Sequence, residues 1–268
     1  MRVRNAPGTP SRGAFFVALA LAVCAVCAGS AGAADCALRG SGEGARVARV
    51  IDGDTLVLAD GRHVRMLGIN APELGHEGAP DEPLARDARV ELEHLLGADP
   101  RSGKADVSVT LHTDRERFDH YGRVLAHVVR GESDLEQELL RQGLAYLAIV
   151  PPNLALADCL REAERGARTA RVGLWSPAAP GPVASTALTH GGYQRVRGRV
   201  ERVQFATAWW IEFAGGLRGV IYPEHQEYWA RQSLAAWRGQ TVEVRGWVYR
   251  SRRGDWRMRL PTPDARLP

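Results

Sequence analysis

At 268 residues the chain is long enough for two modest domains, or for one domain with extensions, since domains cluster near about 100–150 residues. Its formal net charge of +4 falls to near neutrality once Arg2, Arg4 and Arg12 are set aside, which leaves 32 Lys and Arg against 31 Asp and Glu. That balance excludes an evenly polycationic chain, and the charge is instead divided: residues 35–180 carry 18 basic and 24 acidic side chains, net −6, whereas residues 181–268 carry 14 and 7, net +7. The basic second part suggests contact with a polyanion. Lys104 is the only lysine, so part of this arginine richness reflects a general preference of the chain.

The first 34 residues read as an export signal. Arg2, Arg4 and Arg12 precede the apolar run "AFFVALALAVCAVCAG", and "AGAAD" offers small residues for cleavage after Ala33 or Ala34. The competing reading is a membrane anchor, but the run falls short of the ~20 residues of a spanning helix and no second apolar segment follows. The expectation is an exported protein, periplasmic or secreted, with no membrane association after cleavage. Cys24 and Cys27 would leave with the signal. The remaining pair, Cys36 and Cys159, suggests in an oxidising compartment a disulfide tying the mature N-terminus to a late helix; two free thiols are the alternative.

Strand periodicity begins at "RVARVI", with Val47, Arg49 and Ile51 on one face and Val50 on the other. It continues in "TLVLAD" and "HVRMLGI", joined at "ADGR" by a hairpin turn. "PLARDARVELEHLLG" has helical spacing through Leu84, Ala88, Leu92 and Leu95 and stops at Gly97. "ADVSVTL" and "RVLAHVV" are two more strands, and "DLEQELLRQGLA" and "LADCLREAERGARTARVGLW" are helices. The segment 177–192, rich in Pro, Ala and Gly, reads as a linker. Beyond it the same order recurs: strands "RVRGRVERV", "WWIEF" and "LRGVIY", a helix in "EHQEYWARQSLAAWRG", then strands "TVEVRGWVYR" and "WRMRL". A helix between strands three and four of five is the order of an OB-type barrel. The expected class is mainly β with helices (α+β): a barrel domain with flanking helices over 35–176 and a smaller OB-like barrel over 193–268.

Between the first two strands stand Asp52 and Asp54, one residue apart around Gly53. Carboxylates on the core side of a strand are costly unless paired or metal-bound. "DGD" is also good turn sequence, in which Asp bonds local backbone. Downstream, Arg65 ends a strand, Asn70, Ala71, Pro72 and Glu73 follow where the chain leaves the sheet, and Tyr121 and Arg123 open another strand. Acids, an amide, a glutamate and two arginines suit phosphodiester chemistry: a hard divalent cation takes oxygen ligands, a glutamate handles a water, and guanidiniums grip phosphate oxygens. The histidines show no paired helical spacing for zinc, and no serine has a nucleophile-elbow setting.

"VIDGDTLVL", "RMLGINAPE", "YGRVLAHV", "RQGLAYLAIVPPN" and "VGLW", in that order, resemble the staphylococcal nuclease (thermonuclease) family over roughly residues 44–176. The resemblance implies an OB barrel with flanking helices and calcium-dependent hydrolysis of DNA and RNA that leaves 3′-phosphates. It assigns Asp54 and Asn70 as side-chain calcium ligands, Ala71 as a carbonyl ligand and Asp52 as the nearby acid that shapes the site. It casts Glu73 as the residue that positions or activates water, Arg65 and Arg123 as the phosphate grip, and Tyr121 as a tyrosine near the substrate phosphate. The chain departs from the family twice. Asn70 stands where the family usually has aspartate, and "YLAIVPPN" lacks the aromatic residues that stack the substrate base, leaving only Tyr146.

In the second barrel, Arg245, Trp247 and Tyr249 share one face of "TVEVRGWVYR", opposite Val244 and Val248. Arginines among exposed rings suit single-stranded nucleic acid, so these three are candidate substrate contacts. Two other readings stay open: rings that fill a small barrel, and a docking face for the first domain or another protein. No particular protein partner is expected. The function anticipated is an exported endonuclease; the alternative is a nucleic-acid-binding or scaffold protein on a weakened nuclease domain.

Overall fold

The computed structural model of the chain describes residues 1–2, 36, 38, 41–75, 78–98 and 106–268, so the expected export signal lies almost wholly outside the described residues. Among the described residues no helix is long and apolar enough to cross a membrane.

The first barrel is built from β1 (Glu43–Val50), β2 (Thr55–Leu58), β3 (His63–Met66), the short β4 (Ile69–Asn70), α1 (Ala85–Leu95), β5 (Val107–His112), β6 (Val124–Arg130), β7 (Ser133–Asp134), α2 (Leu135–Arg141), β8 (Tyr146–Leu147) and α3 (Ala157–Ala170). The second is built from β9 (Val183–Ala184), β10 (Gly192–Phe205), β11 (Trp209–Phe213), β12 (Arg218–Ile221), α4 (Arg231–Ala235), β13 (Thr241–Arg250), β14 (Trp256–Arg259) and β15 (Arg266–Leu267). In the first, β3-β2-β1-β5-β6 is closed by a parallel β3–β6 pairing. In the second, β13-β14-β12-β11-β10 is closed by β13–β10, and β12–β14 is the parallel pair. Numbering the five barrel strands of each half in chain order gives the same closed circuit, 1-2-3-5-4, in both. The two halves thus share one topology without sharing a sequence.

In both barrels the first strand pairs with the fourth along one part and the second along the other. Each makes the change through a register shift, at Val47/Arg49 and at Val200/Arg202. The first shift corrects the simple alternation expected for β1. The extra residue lets Val47 and Val50 both turn inward while Arg49 is exposed, because a bulge resets the two-residue period and bends the strand.

The helical expectation between strands three and four of the second barrel is met only in part. The segment forms a 3₁₀ turn over Pro223–Tyr228 and a five-residue α4, separated by extended backbone at Trp229. The Trp229 ring is buried edge-on against Trp237, 5.8 Å between centroids, and seating it in the core interrupts the helix. The proline-rich segment read as a linker carries β9, which pairs in parallel with β10, and its Ser185 donates to the Ala214 carbonyl at 2.6 Å.

Each barrel has its own apolar core. Leu56, Met66, Leu92, Leu135 and Leu139 are among the residues filling the first; Val196, Ile211, Phe213, Val244 and Met258 are among those filling the second. From Ala34 onward the chain is one compact unit. Polar contacts join its barrels. Arg161 on α3 makes two hydrogen bonds to Asp264, at 2.7 and 2.9 Å, and the buried Arg245 of β13 pairs with the buried Glu164 of α3. The Tyr193 hydroxyl of β10 donates to the Leu147 carbonyl at 3.0 Å. A disulfide joins Cys36 to Cys159 on α3, with Cα atoms 5.7 Å apart.

Candidate active site

The two aspartates occupy the bend between β1 and β2 and are both buried. The turn reading and the site reading both describe them. Asp52 accepts from the Asp54 amide at 3.0 Å, a local backbone bond, while Asp54 reaches inward. One Asp54 oxygen lies 3.0 Å from Arg65 Nη2 and accepts the Ala71 amide at 2.7 Å; the other accepts the Thr55 hydroxyl at 3.0 Å. Gly53 permits this packing: a Cβ there would lie 2.6 Å from the Ala71 Cβ and 2.7 Å from the Ala88 Cβ.

Asn70 and Ala71 come from β4, which is held by β8 through the pairs Ile69–Leu147 and Asn70–Tyr146. Asn70 is buried; its Oδ1 accepts from Arg65 at 3.2 Å and its Nδ2 donates to the Ala71 carbonyl at 3.1 Å. The guanidinium on one side fixes which end of the amide faces which partner. Arg65 also donates to the Met66 and Ile69 carbonyls, at 2.6 and 2.9 Å, so its head is locked against the site floor.

Glu73 lies at the exposed rim. Its backbone is clasped by Glu82: the Glu73 amide donates to the Glu82 carboxylate at 3.0 Å, and the Glu82 amide donates back to the Glu73 carbonyl at 2.9 Å. Arg123, at the head of β6, is held by Asp119, which accepts its Nε at 2.7 Å and its amide at 2.9 Å. Tyr121 is 75% exposed, with the Arg123 guanidinium 5.5 Å from its ring centre.

Electrostatics tie the set together. Burial pushes the Asp54 carboxyl up to about 6, with Arg65 opposing and Asp52 reinforcing the rise. Asp52 is raised by burial against the Asp54 amide bond. Glu73 is raised by the surrounding protein and by the Asp54 charge, while Arg65 and Arg123 both pull it down. Only Asp54 of the two buried carboxylates touches the Arg65 guanidinium, and the surplus negative charge suits a divalent cation. Asp52, Asp54, the Asn70 amide and the Ala71 carbonyl form an all-oxygen set of the kind calcium takes. The Ala71 carbonyl, which accepts the Asn70 amide with one lone pair, would meet a cation with the other.

Three residues that support the site were not singled out from sequence: Thr55, Glu82 and Asp119. Asp119 had a signal, since it stands four residues before Arg123 in a Gly-containing turn; Glu82 lies across a loop and had none. Tyr146, the ring left for base stacking, is half-buried between Tyr193 (centroids 5.8 Å, stacked) and Trp175 (5.5 Å, edge-on). Its ring is thus engaged where the barrels meet.

The substrate contacts expected on β13 need a correction. Arg245 is 3% exposed, sealed between the barrels by Glu164 and by its Nε bond to the Asp264 carbonyl at 3.0 Å. The face read as open is covered at that position by α3, because a strand's outer face can be a docking face as well as a solvent face. Trp247 is exposed at 39%, edge-on to Tyr193, and Tyr249 is half-buried with its hydroxyl 2.9 Å from that of Tyr222. The outer aromatic surface instead centres on Tyr249, Tyr222 and Trp210, with Arg257 5.1 Å from the Trp210 ring centre, whereas Trp256 packs against the core of the second barrel with the Arg250 guanidinium 3.9 Å from its ring centre.

The family model of staphylococcal nuclease homologues matches residues 63–177, so the two aspartates precede the matched span. The thermonuclease of Staphylococcus hyicus is 30% identical over 134 residues, covering 49% of this chain and 75% of that protein. The thermonuclease of Staphylococcus intermedius is 33% identical over 138 residues, 50% of this chain and 77% of that protein. Endonuclease YncB of Bacillus subtilis is 34% identical over 133 residues, 48% of this chain and 59% of that protein. With the barrel topology and these relatives in hand, the chain belongs to the staphylococcal nuclease homologues and is a nuclease, a phosphodiester hydrolase.

Proposed function

We propose that the protein is an exported, calcium-dependent endonuclease that cleaves DNA and RNA, favouring single strands, and leaves 3′-phosphates. The observation that carries this reading is the buried Asp52–Asp54 pair, of which only Asp54 touches a guanidinium, beside a rim glutamate. Asp54, Asp52, Asn70 Oδ1 and the Ala71 carbonyl would hold the cation. When bound, calcium supplies positive charge that polarises the phosphate.

The chain's own residues do the rest. Glu73, with its pKa raised and its backbone clasped by Glu82, accepts a proton from the attacking water. Water oxygen bonds to phosphorus as the bond to the 5′ oxygen breaks; that oxygen takes a proton from solvent as it leaves, Glu73 later returns its proton to solvent, and the phosphate stays on the 3′ side. Arg65, fixed by two carbonyls, and Arg123, fixed by Asp119, hold the non-bridging oxygens and stabilise the charge that grows on them. Tyr121, exposed beside Arg123, meets the substrate phosphate. Tyr249, Tyr222 and Trp210 with Arg257 form the grip for a single strand on the second barrel, with Trp247 at its margin. The Cys36–Cys159 disulfide supports a periplasmic or secreted location, because such bonds persist in oxidising compartments.

The Asn70 bond to the Ala71 carbonyl favours a second reading, a weakened nuclease acting mainly by binding. One experiment separates the two: hydrolysis of single-stranded DNA with calcium, with chelator, and by Glu73→Gln. Calcium-dependent cleavage reduced about 10²–10⁴-fold in the variant is expected. Binding without cleavage would favour the second reading.

A further inference from the structure

Apart from the proposed active site, the first barrel holds a second cluster of donor groups. His127 on β6, Asp134 at the end of β7 and Glu136 in the first turn of α2 each place a ligand atom so that all three lie within 4.8 Å of one another. His127 Nδ1 is 3.9 Å from Glu136 Oε1. Glu136 is 0% exposed and His127 is 3% exposed. Among the described residues, His127 Nδ1 has no hydrogen-bond partner. A buried imidazole nitrogen without a partner, facing two carboxylates, forgoes a bond that buried polar atoms almost always make.

The rest of each ligand is already anchored. Asp134 Oδ1 accepts the Gln137 amide at 2.8 Å, which caps α2 and leaves Oδ2 facing the Glu136 carboxyl, with which it can share a proton until an ion displaces it. The Glu136 carboxylate accepts the Val128 amide at 3.0 and 3.3 Å. Backbone bonds of this kind orient ligands around metal centres. A cleft of about 430 Å³, lined by His112, Gln137, Arg141 and Cys36, reaches the cluster at Asp134.

We propose that His127, Asp134 and Glu136 form a binding site for a transition-metal ion, best suited to zinc, which fastens β6 and β7 to the start of α2. The donor set points to this class. One neutral imidazole and two carboxylates match zinc in charge and ligand type, and three protein donors leave a fourth position for water. Calcium, which takes six to eight oxygens, is poorly served by three donors, one of them nitrogen. Zinc bonds of about 2.0–2.2 Å place tetrahedral donors about 3.4 Å apart, so the His127–Glu136 pair needs to close by about 0.5 Å and the widest pair by at most about 1.4 Å.

The test is direct. Protein freed of metal with a chelator is titrated with Zn²⁺ in the presence of excess Ca²⁺, and Co²⁺ is used as a spectroscopic probe. One tightly bound zinc per chain is expected, with visible cobalt absorption of tetrahedral intensity and an unfolding midpoint raised by about 5 °C or more. Glu136→Gln, which keeps an acceptor for the Val128 amide, and His127→Leu should each lose the bound zinc while circular dichroism remains native. Asp54→Asn should retain it, which separates this site from the proposed calcium ligands. Absence of stoichiometric zinc, or zinc retained by both folded variants, would overturn the proposal and leave the cluster as two acids sharing a proton beside a neutral histidine. The nuclease reading is unaffected by either result.

Discussion

Gly53→Ala is the smallest change that tests how the two aspartates are held. The added Cβ would stand 2.6 Å from the Ala71 Cβ and 2.7 Å from the Ala88 Cβ, against an ordinary carbon contact of about 3.5–4.0 Å. Neither neighbour can rotate away, because both atoms are fixed to backbone, Ala88 in α1 and Ala71 in the segment that supplies the carbonyl ligand. The bend must move by about 1 Å, and overpacking of this sort costs about 1–3 kcal/mol. For a chain this size each kcal/mol shifts the unfolding midpoint by about 2–4 °C, so a fall of about 2–12 °C is expected by circular dichroism. The displacement falls on Asp52, Asp54 and Ala71 together, and a misplacement near 1 Å costs about 10²-fold in rate. Hydrolysis of single-stranded DNA under saturating calcium measures that loss. A variant with an unchanged midpoint and near-normal turnover would refute the idea that Gly53 is required for the close approach.

Three further outcomes follow from the geometry. Arg245→Ala leaves Glu164 buried without its cation and should lower stability in urea by about 3–5 kcal/mol; a loss under about 1 kcal/mol would mean that water reaches the pair. Asn70→Asp replaces the amide that donates to the Ala71 carbonyl with a second oxygen, so the metal-free protein should lose thermal stability while calcium binds more tightly by calorimetry; unchanged affinity would remove Asn70 from the ligand set. Because burial raises Asp54 from 3.8 to about 6, the fold holds a proton there that the unfolded chain releases. This group therefore favours the metal-free fold increasingly as pH drops from about 6 toward 3.8, and calcium, competing with that proton, should bind about tenfold more weakly per pH unit below about 6. Equal calcium affinity at pH 7.5 and 5 would sink that assignment.

Much of this architecture is written in local pattern. "WWIEF" and "TVEVRGWVYR" are strands over the residues expected, and α1 ends just before Gly97, whose φ of 59° suits glycine. The alternation of β1 misled because a bulge is a pairing property, set by which two strands meet and where. Trp229 broke an expected helix for a similar reason: helical propensity lost to the burial of one ring. Among the residues considered for the site, those in the first barrel converge on one end of it, since the spacing of Asp52, Asp54, Arg65, Asn70 and Glu73 follows from strand and turn lengths. Arg245 could not be placed from sequence, because an arginine on the outer face of a strand looks the same whether water or Glu164 covers it. Glu82 and Tyr193 act through backbone partners, and nothing in a sequence marks which carbonyl or amide a side chain will find.

The attachment of Tyr193 and Arg245 has a consequence for cooperativity. Leu147 is gripped at both ends of its peptide units: its amide donates to Glu164 at 2.7 Å, and its carbonyl accepts from Tyr193 of the second barrel. The same β8 strand pairs with Asn70, and Arg245 anchors the Glu164 that holds it. The second barrel is therefore a buttress for the floor of the first, so the two should melt in a single transition. Loosening Tyr193 would be felt first in hydrogen exchange at Leu147 and Asn70, ahead of any global unfolding.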